Sequence, residues 1–257
     1  MTRLIVVGAA GRMGRAVLEA ARAADDLEVV AALEHPDHPQ LGQEVLPGLK
    51  LTSDREAAAA GGEVAIDFSL PASTADFAEL AAARGLPLAI ATTGLEPSQR
   101  DRIGAAAERT PIVLAANYSI GVSVLMQLVE QAARMLPDYE VDILETHHDQ
   151  KVDAPSGTAL ALGRIVAGAR GQQFDDVAVY QREGHTGVRD PRAIGMQALR
   201  LGDSPGEHTV FIAGPGERIE LTSRSLSRAN FAAGAIRAAR WVVGKPPGLY
   251  GMHDVIA

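Results

Sequence analysis

Between Glu145 and Thr158 the chain reads Glu145-Thr146-His147-His148-Asp149-Gln150-Lys151-Val152-Asp153-Ala154-Pro155-Ser156-Gly157-Thr158, passing from a strand-like apolar run through a polar loop into a helical stretch. The two imidazoles and the ammonium of Lys151 are proton donors within five residues of one another. Ser156, Gly157 and Thr158 set backbone N–H groups at a helix start, where a carboxylate is favoured. Only three lysines occur against 21 arginines, and one of the three is Lys151. A lysine ammonium is a compact, tunable charge that arginine does not replace in proton transfer. Zinc on the histidines is an alternative chemistry, although the H-E-x-x-H spacing is missing and the chain has no Cys. The plain alternative is a solvated polar loop.

A second constellation, Gly8-Ala9-Ala10-Gly11-Arg12-Met13-Gly14, directly follows a short apolar run and opens a helical one. Glycines there permit a tight turn and close backbone approach to a pyrophosphate, whose charge the helix N-terminus favours. The spacing is G-x-x-G-x-x-G, so its weight comes from context: Glu34 stands 20 residues beyond Gly14, where an acidic side chain bonds the ribose hydroxyls of a dinucleotide. Asp67-Phe68-Ser69 and Thr92-Thr93-Gly94 are further strand ends carrying small polar residues, and open α/β sheets hold ligands at such ends. From Glu34 through His38 there is no Arg or Lys to offset a 2′-phosphate, although Arg12 and Arg15 begin the neighbouring helix. NADH is therefore expected to be favoured over NADPH.

These residues need a scaffold. The first 120 residues alternate β-rich apolar runs with Ala-rich stretches, the pattern of a parallel sheet with crossover helices. Strands are expected at Leu4 to Val7, Val29 to Leu33, Val64 to Phe68, Leu88 to Thr92 and Ile112 to Ala115. Helices are expected at Arg12 to Ala24, at Pro71 to Arg84 with Pro at the first position, and at Ser98 to Arg109 with a serine cap. After Asn117 the texture changes. A helix over Val122 to Leu136 leads to a strand over Tyr139 to Thr146, then a helix over Thr158 to Ala169. Three runs read as antiparallel: Ile194 to Leu201, Glu207 to Ala213 and Glu217 to Ser223, the last two joined by Gly214-Pro215-Gly216. Tyr180 to Arg192 reads as a long functional loop, and Ala229 to Val243 as a final helix. The fold class is α/β: a Rossmann-type doubly wound parallel sheet, with a second, mixed α/β domain inserted.

Composition narrows the function classes. The chain has 257 residues, enough for one large or two moderate domains, and a charge of −8 without any basic run, which argues against a nucleic-acid partner. Arg3 before Leu4 to Val7 is interrupted too soon by Gly8 and Gly11 for a leader, and no apolar run reaches the ~18 residues of a membrane span. A cytoplasmic protein is the expectation. Tyr118, Tyr139, Tyr180 and Tyr250 all lack a Lys four residues later, which disfavours the short-chain dehydrogenase class. A dinucleotide-binding redox sensor without turnover is the non-enzymatic alternative.

Taken in order, these motifs resemble the 4-hydroxy-tetrahydrodipicolinate reductase family, long called dihydrodipicolinate reductases. The blocks are G-x-x-G-R-M-G at Gly8 to Gly14, D-F-S at Asp67 to Ser69, T-T-G at Thr92 to Gly94, A-N-Y-S at Ala116 to Ser119, E-x-H-H-x-x-K-x-D-A-P-S-G-T-A at Glu145 to Ala159, R-E-G-H-T-G at Arg182 to Gly187 and G-E-H-T-V at Gly206 to Val210. The resemblance implies NAD(P)H-dependent reduction of a small cyclic dicarboxylate in lysine and diaminopimelate biosynthesis. His147 would be proton donor and acceptor and Lys151 a second proton donor; His148 and the Ser156, Gly157 and Thr158 segment would bind substrate. Gly8, Ala9, Ala10, Gly11, Arg12, Met13, Glu34, Ala91, Thr92, Thr93, Ala115, Ala116, Asn117 and Tyr118 would contact the cofactor. It further implies a dinucleotide-binding domain over 1–119 and 229–257, a substrate and oligomerisation domain over 120–228, and a homotetramer. Two departures stand out: Ala91 replaces the usual Gly before T-T-G, and His35 replaces an Arg that pairs with a 2′-phosphate in many members.

Overall fold

The computed structural model describes residues 1–257 and divides into two compact units, Met1–Ile120 with Arg228–Ala257, and Gly121–Ser227. The chain opens with β1 (Thr2–Val7), α1 (Arg12–Arg22), β2 (Leu27–Leu33), β3 (Glu44–Leu46), β4 (Leu49–Thr52) and α2 (Arg55–Gly61). It continues with β5 (Val64–Asp67), α3 (Pro71–Arg84), β6 (Leu88–Ile90), α4 (Pro97–Ala107) and β7 (Pro111–Leu114). Helix α5 (Ile120–Met135) leads into the second unit, with β8 (Glu140–His147), α6 (Gly157–Ala169), α7 (Phe174–Val177), β9 (Ala178–Val179), β10 (Ile194–Arg200), β11 (Glu207–Gly214) and β12 (Glu217–Arg224). The first unit is completed by α8 (Ala229–Val242), β13 (Gly248–Tyr250) and α9 (Met252–Ile256).

The first unit's sheet has the order β13-β7-β6-β5-β1-β2-β4-β3 and is parallel except for the β3–β4 hairpin. Its central strands read as unbroken apolar runs because both faces are covered. Leu4 and Val6 pack with α1 and α8, while Ile5 and Val7 pack with α3 and α4. β1 is flanked by β2 on one side and β5 on the other, so the direction of winding reverses there. The loop after β1 therefore stands at a topological switch point, where such sheets bind ligands. Helix α4 begins differently from the expectation: Glu96 is the cap, Pro97 follows it, and Gln99 closes a capping box by bonding the Glu96 N–H, so Ser98 lies inside the first turn. Helix α8 returns against the segment after β7 through Gly234, where a Cβ would stand 1.7 Å from the Tyr118 carbonyl oxygen.

The second unit has a sheet of order β12-β11-β8-β10-β9. Alternation along β8 sends Val141, Ile143 and Glu145 to one buried face. That face is covered by Leu125, Val129 and Ala133 of α5 and Leu162 and Val166 of α6. The opposite face presents Leu144, Gln197, Leu199 and Phe211. The Glu207 and Glu217 runs form the antiparallel hairpin expected of them, closing at Pro215-Gly216. The Ile194 run does not join them: β10 lies parallel to β8, because α7, β9 and the following segment carry the chain back to the same end of the sheet. A period of two reports which face a residue takes, not the direction of its strand. The segment over 180–192 has no regular structure and is tied down by Arg182 and Arg189, which pair with Asp142 at 2.7 and 2.8 Å.

Candidate active site

In the first unit, Gly8 carries φ +75°, and a Cβ on it would lie 2.9 Å from the Phe68 carbonyl. Gly8 and Ala9 both donate their N–H to the Leu33 carbonyl at 3.0 Å, drawing the turn onto the end of β2. Glu34 follows directly, and its carboxylate accepts from the N–H groups of Ala10 and His35, each at 3.1 Å. Gly8, Gly11, Glu34 and Ser69 line a single cleft of about 200 Å³ together with Arg55. Helix α1 opens beside it with no side-chain cap. Arg12 is exposed and Met13 packs on the core. Arg15 is occupied by the Ala10 carbonyl and by Gln40.

The neighbouring strand ends are cross-linked by hydroxyls. Thr92 lies 2.6 Å from Thr74, which lies 3.2 Å from Ser69. The Ser69 N–H donates to Asp67 Oδ1 at 2.7 Å, while Oδ2 is buried without a partner; burial pushes the Asp67 carboxyl above its ordinary pKa against the pull of those bonds. Ala91 is buried, Thr93 is exposed, and Ala115, Ala116 and Asn117 follow β7 at the same edge. Tyr118 turns inward: its hydroxyl lies 2.8 Å from the Val113 carbonyl and 3.1 Å from that of Ile90, so only its backbone can face a ligand. Arg55 carries no site signal in the sequence, since it stands 21 positions beyond Glu34 and opens a helix of only seven residues.

In the second unit, β8 delivers Glu145 and His147 to the same face, two residues apart. Strand pairing adds His208 of β11 opposite Glu145 and Arg200 of β10 opposite His147. Four donors converge on the fully buried Glu145 carboxylate: His147 Nδ1 at 2.5 Å, Arg200 Nη1 and Nη2 at 2.9 and 2.7 Å, and the Ser156 N–H at 3.0 Å. Burial alone would raise its pKa, but the bonds from His147, Arg200 and Ser156 outweigh it and hold the carboxyl at about 2. Ser156 caps α6 by accepting from the Ala159 N–H, and its Oγ lies 3.0 Å from His208 Nε2. His208 is 3% exposed; burial first, and the proximity of His147 second, push its pKa down to about 4. It is a neutral ring.

His148 and Lys151 lie on the loop between β8 and α6. The His148 N–H bonds the Ser204 carbonyl at 2.9 Å, and Lys151 Nζ bonds both oxygens of Asp153 at 2.7 and 2.9 Å. Gly157 and Thr158 form the first turn of α6. His147 and the α6 N-terminus thus meet at one buried carboxylate, while Lys151 pairs with Asp153, whose carbonyl accepts from Arg200. The partners Arg200 and His208 were not assigned roles from sequence, because they lie 55 and 63 positions from Glu145 and only strand pairing unites them. No three His, Asp or Glu side chains converge as a metal ion would require.

The chain matches the family described as dihydrodipicolinate reductase, N-terminus, over residues 2–118, and dihydrodipicolinate reductase, C-terminus, over residues 121–256. It is 49% identical over 261 residues to the 4-hydroxy-tetrahydrodipicolinate reductase of Thiobacillus denitrificans, covering 99% of this chain and 98% of that protein. It is 49% identical over 263 residues to the enzyme of the same name from Alkalilimnicola ehrlichii, at 99% and 98% coverage. Among solved structures, the dipicolinate-bound dihydrodipicolinate reductase from Paenisporosarcina sp. TG-14 superposes with a TM-score of 0.81 at 25% identity, covering 99% of both chains. A probable dehydrogenase from Thermotoga maritima, at 12% identity and TM-score 0.64, shares the fold alone.

Proposed function

The chain belongs to the dihydrodipicolinate reductase family, and from that premise we propose that it reduces 4-hydroxy-2,3,4,5-tetrahydrodipicolinate to tetrahydrodipicolinate with NAD(P)H, in lysine and diaminopimelate biosynthesis in the cytoplasm. The observation that carries this reading is the meeting of His147 and the α6 N-terminus at a buried, ion-paired carboxylate, with Lys151 on the loop that joins β8 to α6. A planar dicarboxylate is met there by backbone N–H groups and cations.

The first unit suits a dinucleotide. The Gly8 turn admits close backbone approach, the α1 N-terminus is uncapped, and Glu34 is fixed in the cleft by two backbone N–H groups. Gly8 to Met13, Glu34, Ala91 to Thr93 and Ala115 to Tyr118 are the residues we assign to holding it, Tyr118 through its backbone. When bound, the nicotinamide supplies a hydride to the conjugated ring left after the substrate loses water. His147 then gives a proton to the resulting enamine carbon and recovers one from solvent. Lys151 is the second proton donor, exchanging Asp153 for the substrate as it arrives. His148 and the Gly157-Thr158 turn hold the substrate carboxylates, on a helix start that Ser156 shapes by giving its N–H to Glu145 and its Oγ to the α6 cap.

NADH is the favoured cofactor in this reading. Glu34 bonds ribose hydroxyls and repels a 2′-phosphate. His35 and His38 stand where an Arg or Lys is missing, and the Nδ1 of each is taken by a backbone N–H, of Asp37 and Gln40 respectively. The working assembly is a homotetramer built on the open face of the second unit's sheet.

Turnover of enzymatically generated substrate, followed at the nicotinamide absorbance, tests the assignment. His147→Gln is expected to lower kcat ~10²- to 10⁴-fold while NADH still binds. Unchanged turnover in this variant rules out His147 as the donor, and a wild-type protein that binds NADH without consuming it is a redox sensor instead.

A further inference from the structure

Nothing in the reaction described above uses Glu145, Arg200 or the tautomer of His147. The geometry around them constrains it nonetheless. Glu145 Oε2 stands 2.5 Å from His147 Nδ1, and an ionised carboxylate only accepts, so Nδ1 carries a hydrogen. The other ring nitrogen is left as the sole exchangeable position. Nε2 faces Gly206, whose φ is +145° and on which a Cβ would stand 2.9 Å from that nitrogen. A side chain there would cover it. Arg200 does not lie loosely beside the carboxylate: besides two bonds to Glu145 it donates to the carbonyls of Leu199 and Asp153, each at 2.6 Å. An unpaired buried carboxylate would hold an imidazolium too tightly to release its proton, and the guanidinium weakens that hold.

We propose that Glu145, clamped by Arg200 and the Ser156 amide, is the positioning residue for proton transfer at His147: it takes Nδ1–H and so keeps the transferable proton on Nε2. In the step it serves, the Nε2–H bond breaks as the substrate C–H bond forms, the nitrogen keeps the electron pair, and the cationic ring becomes neutral. The proposal rests on the reading of His147 as proton donor. The charged and titratable groups around the ring are Glu145 beside it on β8, Arg200 on β10, His208 on β11 with ring centroids 5.3 Å apart, and Lys151 on the following loop.

The test compares Glu145→Gln, Glu145→Asp, His147→Gln and the double variant Glu145→Gln/His147→Gln. Glu145→Gln is expected to lower kcat on the order of 10²-fold, with KM for NADH unchanged. It should also move the alkaline limb of the kcat profile to lower pH, since the carboxylate that pairs with the ring is gone. Glu145→Asp, which keeps the charge, should recover part of kcat and the wild-type limb. In ¹⁵N spectra of histidine-labelled protein, the His147 ring is expected to be Nδ1-protonated in the wild type and mixed in Glu145→Gln. Adding Glu145→Gln to His147→Gln should cost nothing further. A wild-type limb and tautomer in Glu145→Gln beside an inactive His147→Gln overturns the positioning role alone. A further loss in the double variant does the same, whereas an active His147→Gln overturns the donor assignment and the proposal together. Should Glu145→Gln fail to fold, the Glu145→Asp profile and the wild-type tautomer decide.

Discussion

His208 is a buried imidazole whose Nδ1 finds no partner and whose Nε2 lies against Ser156 Oγ. The folded protein keeps its pKa near 4 where the unfolded chain has 6.5. The unfolded state therefore binds more protons between those values, so stability falls as pH drops through that window and is level above it. Glu145 acts lower, since a carboxyl held at about 2 contributes stability that is lost only as pH falls from 4.5. Urea unfolding at pH 7.5 and pH 5 isolates the histidine: the wild type should lose on the order of 2 kcal/mol, and His208→Gln should lose less. Equal losses would mean that this ring is not the titrating group. Lys151→Ala tests a different property. Its ion pair with the largely exposed Asp153 contributes little to folding, so the unfolding midpoint should hold while kcat falls ~10²- to 10⁴-fold. Arg55, bonded to Ser73 at 3.0 Å, puts a permanent cation in the cleft that Glu34 lines, where the proposed function seats the ribose. If it softens the discrimination set by Glu34, Arg55→Ala should lower kcat/KM for NADPH about tenfold, or ~1.4 kcal/mol, and leave NADH nearly unchanged.

The start of α1 depends on Gly14, where a Cβ would lie 2.1 Å from the Gly8 carbonyl oxygen and 2.6 Å from Ala9 Cα. Backbone cannot yield as a flexible side chain can. Gly14→Ala is expected to destabilise by about 1–3 kcal/mol and to weaken NADH binding, because the helix must leave the turn. Gly104→Ala, inside α4 with nothing near its Cβ, should stabilise by up to ~1 kcal/mol; similar unfolding curves for both would refute the close-packing account. This turn was legible in sequence because strand, glycines and helix are contiguous, and α3 because Pro71 marks its first residue. The direction of β10 was not, since alternation is blind to it, and the short strands of the Glu44 to Thr52 hairpin and β13 carry too few residues to show a period. In the loop proposed as catalytic, the residues assigned as donors are local in sequence. Their supports, Arg200 and His208, arrive through strand pairing.

The sheet of the second unit has one covered and one open face. One face is packed by α5 and α6; the other shows Leu144, Gln197, Leu199 and Phe211, with Leu199 43% exposed and Phe211 under the Arg218 guanidinium at 5.6 Å. A mixed sheet can leave one face in water, so the case for a partner here rests on the apolar residues that this face shows. The charges on that surface are of both signs, Asp142 and Glu140 with Arg189 and Arg218, so a rotated copy of the same face can meet each with its opposite. Such an isologous contact closes a pair of chains and needs about 800 Å² from each partner, within reach of four adjoining strands; the proposed tetramer joins two such pairs through a second two-fold contact. The net charge of −8 on every chain opposes association, so added salt should strengthen it through screening. Sedimentation velocity is expected to give four times the 26.9 kDa chain mass for the wild type. Phe211→Asp sets a carboxylate opposite Asp142 across the β8–β11 ladder and in the proposed interface, and should yield smaller species with an unchanged far-ultraviolet circular dichroism spectrum. A wild-type monomer at micromolar concentration in moderate salt would contradict the tetramer, and a tetramer that survives Phe211→Asp would move the interface to another surface.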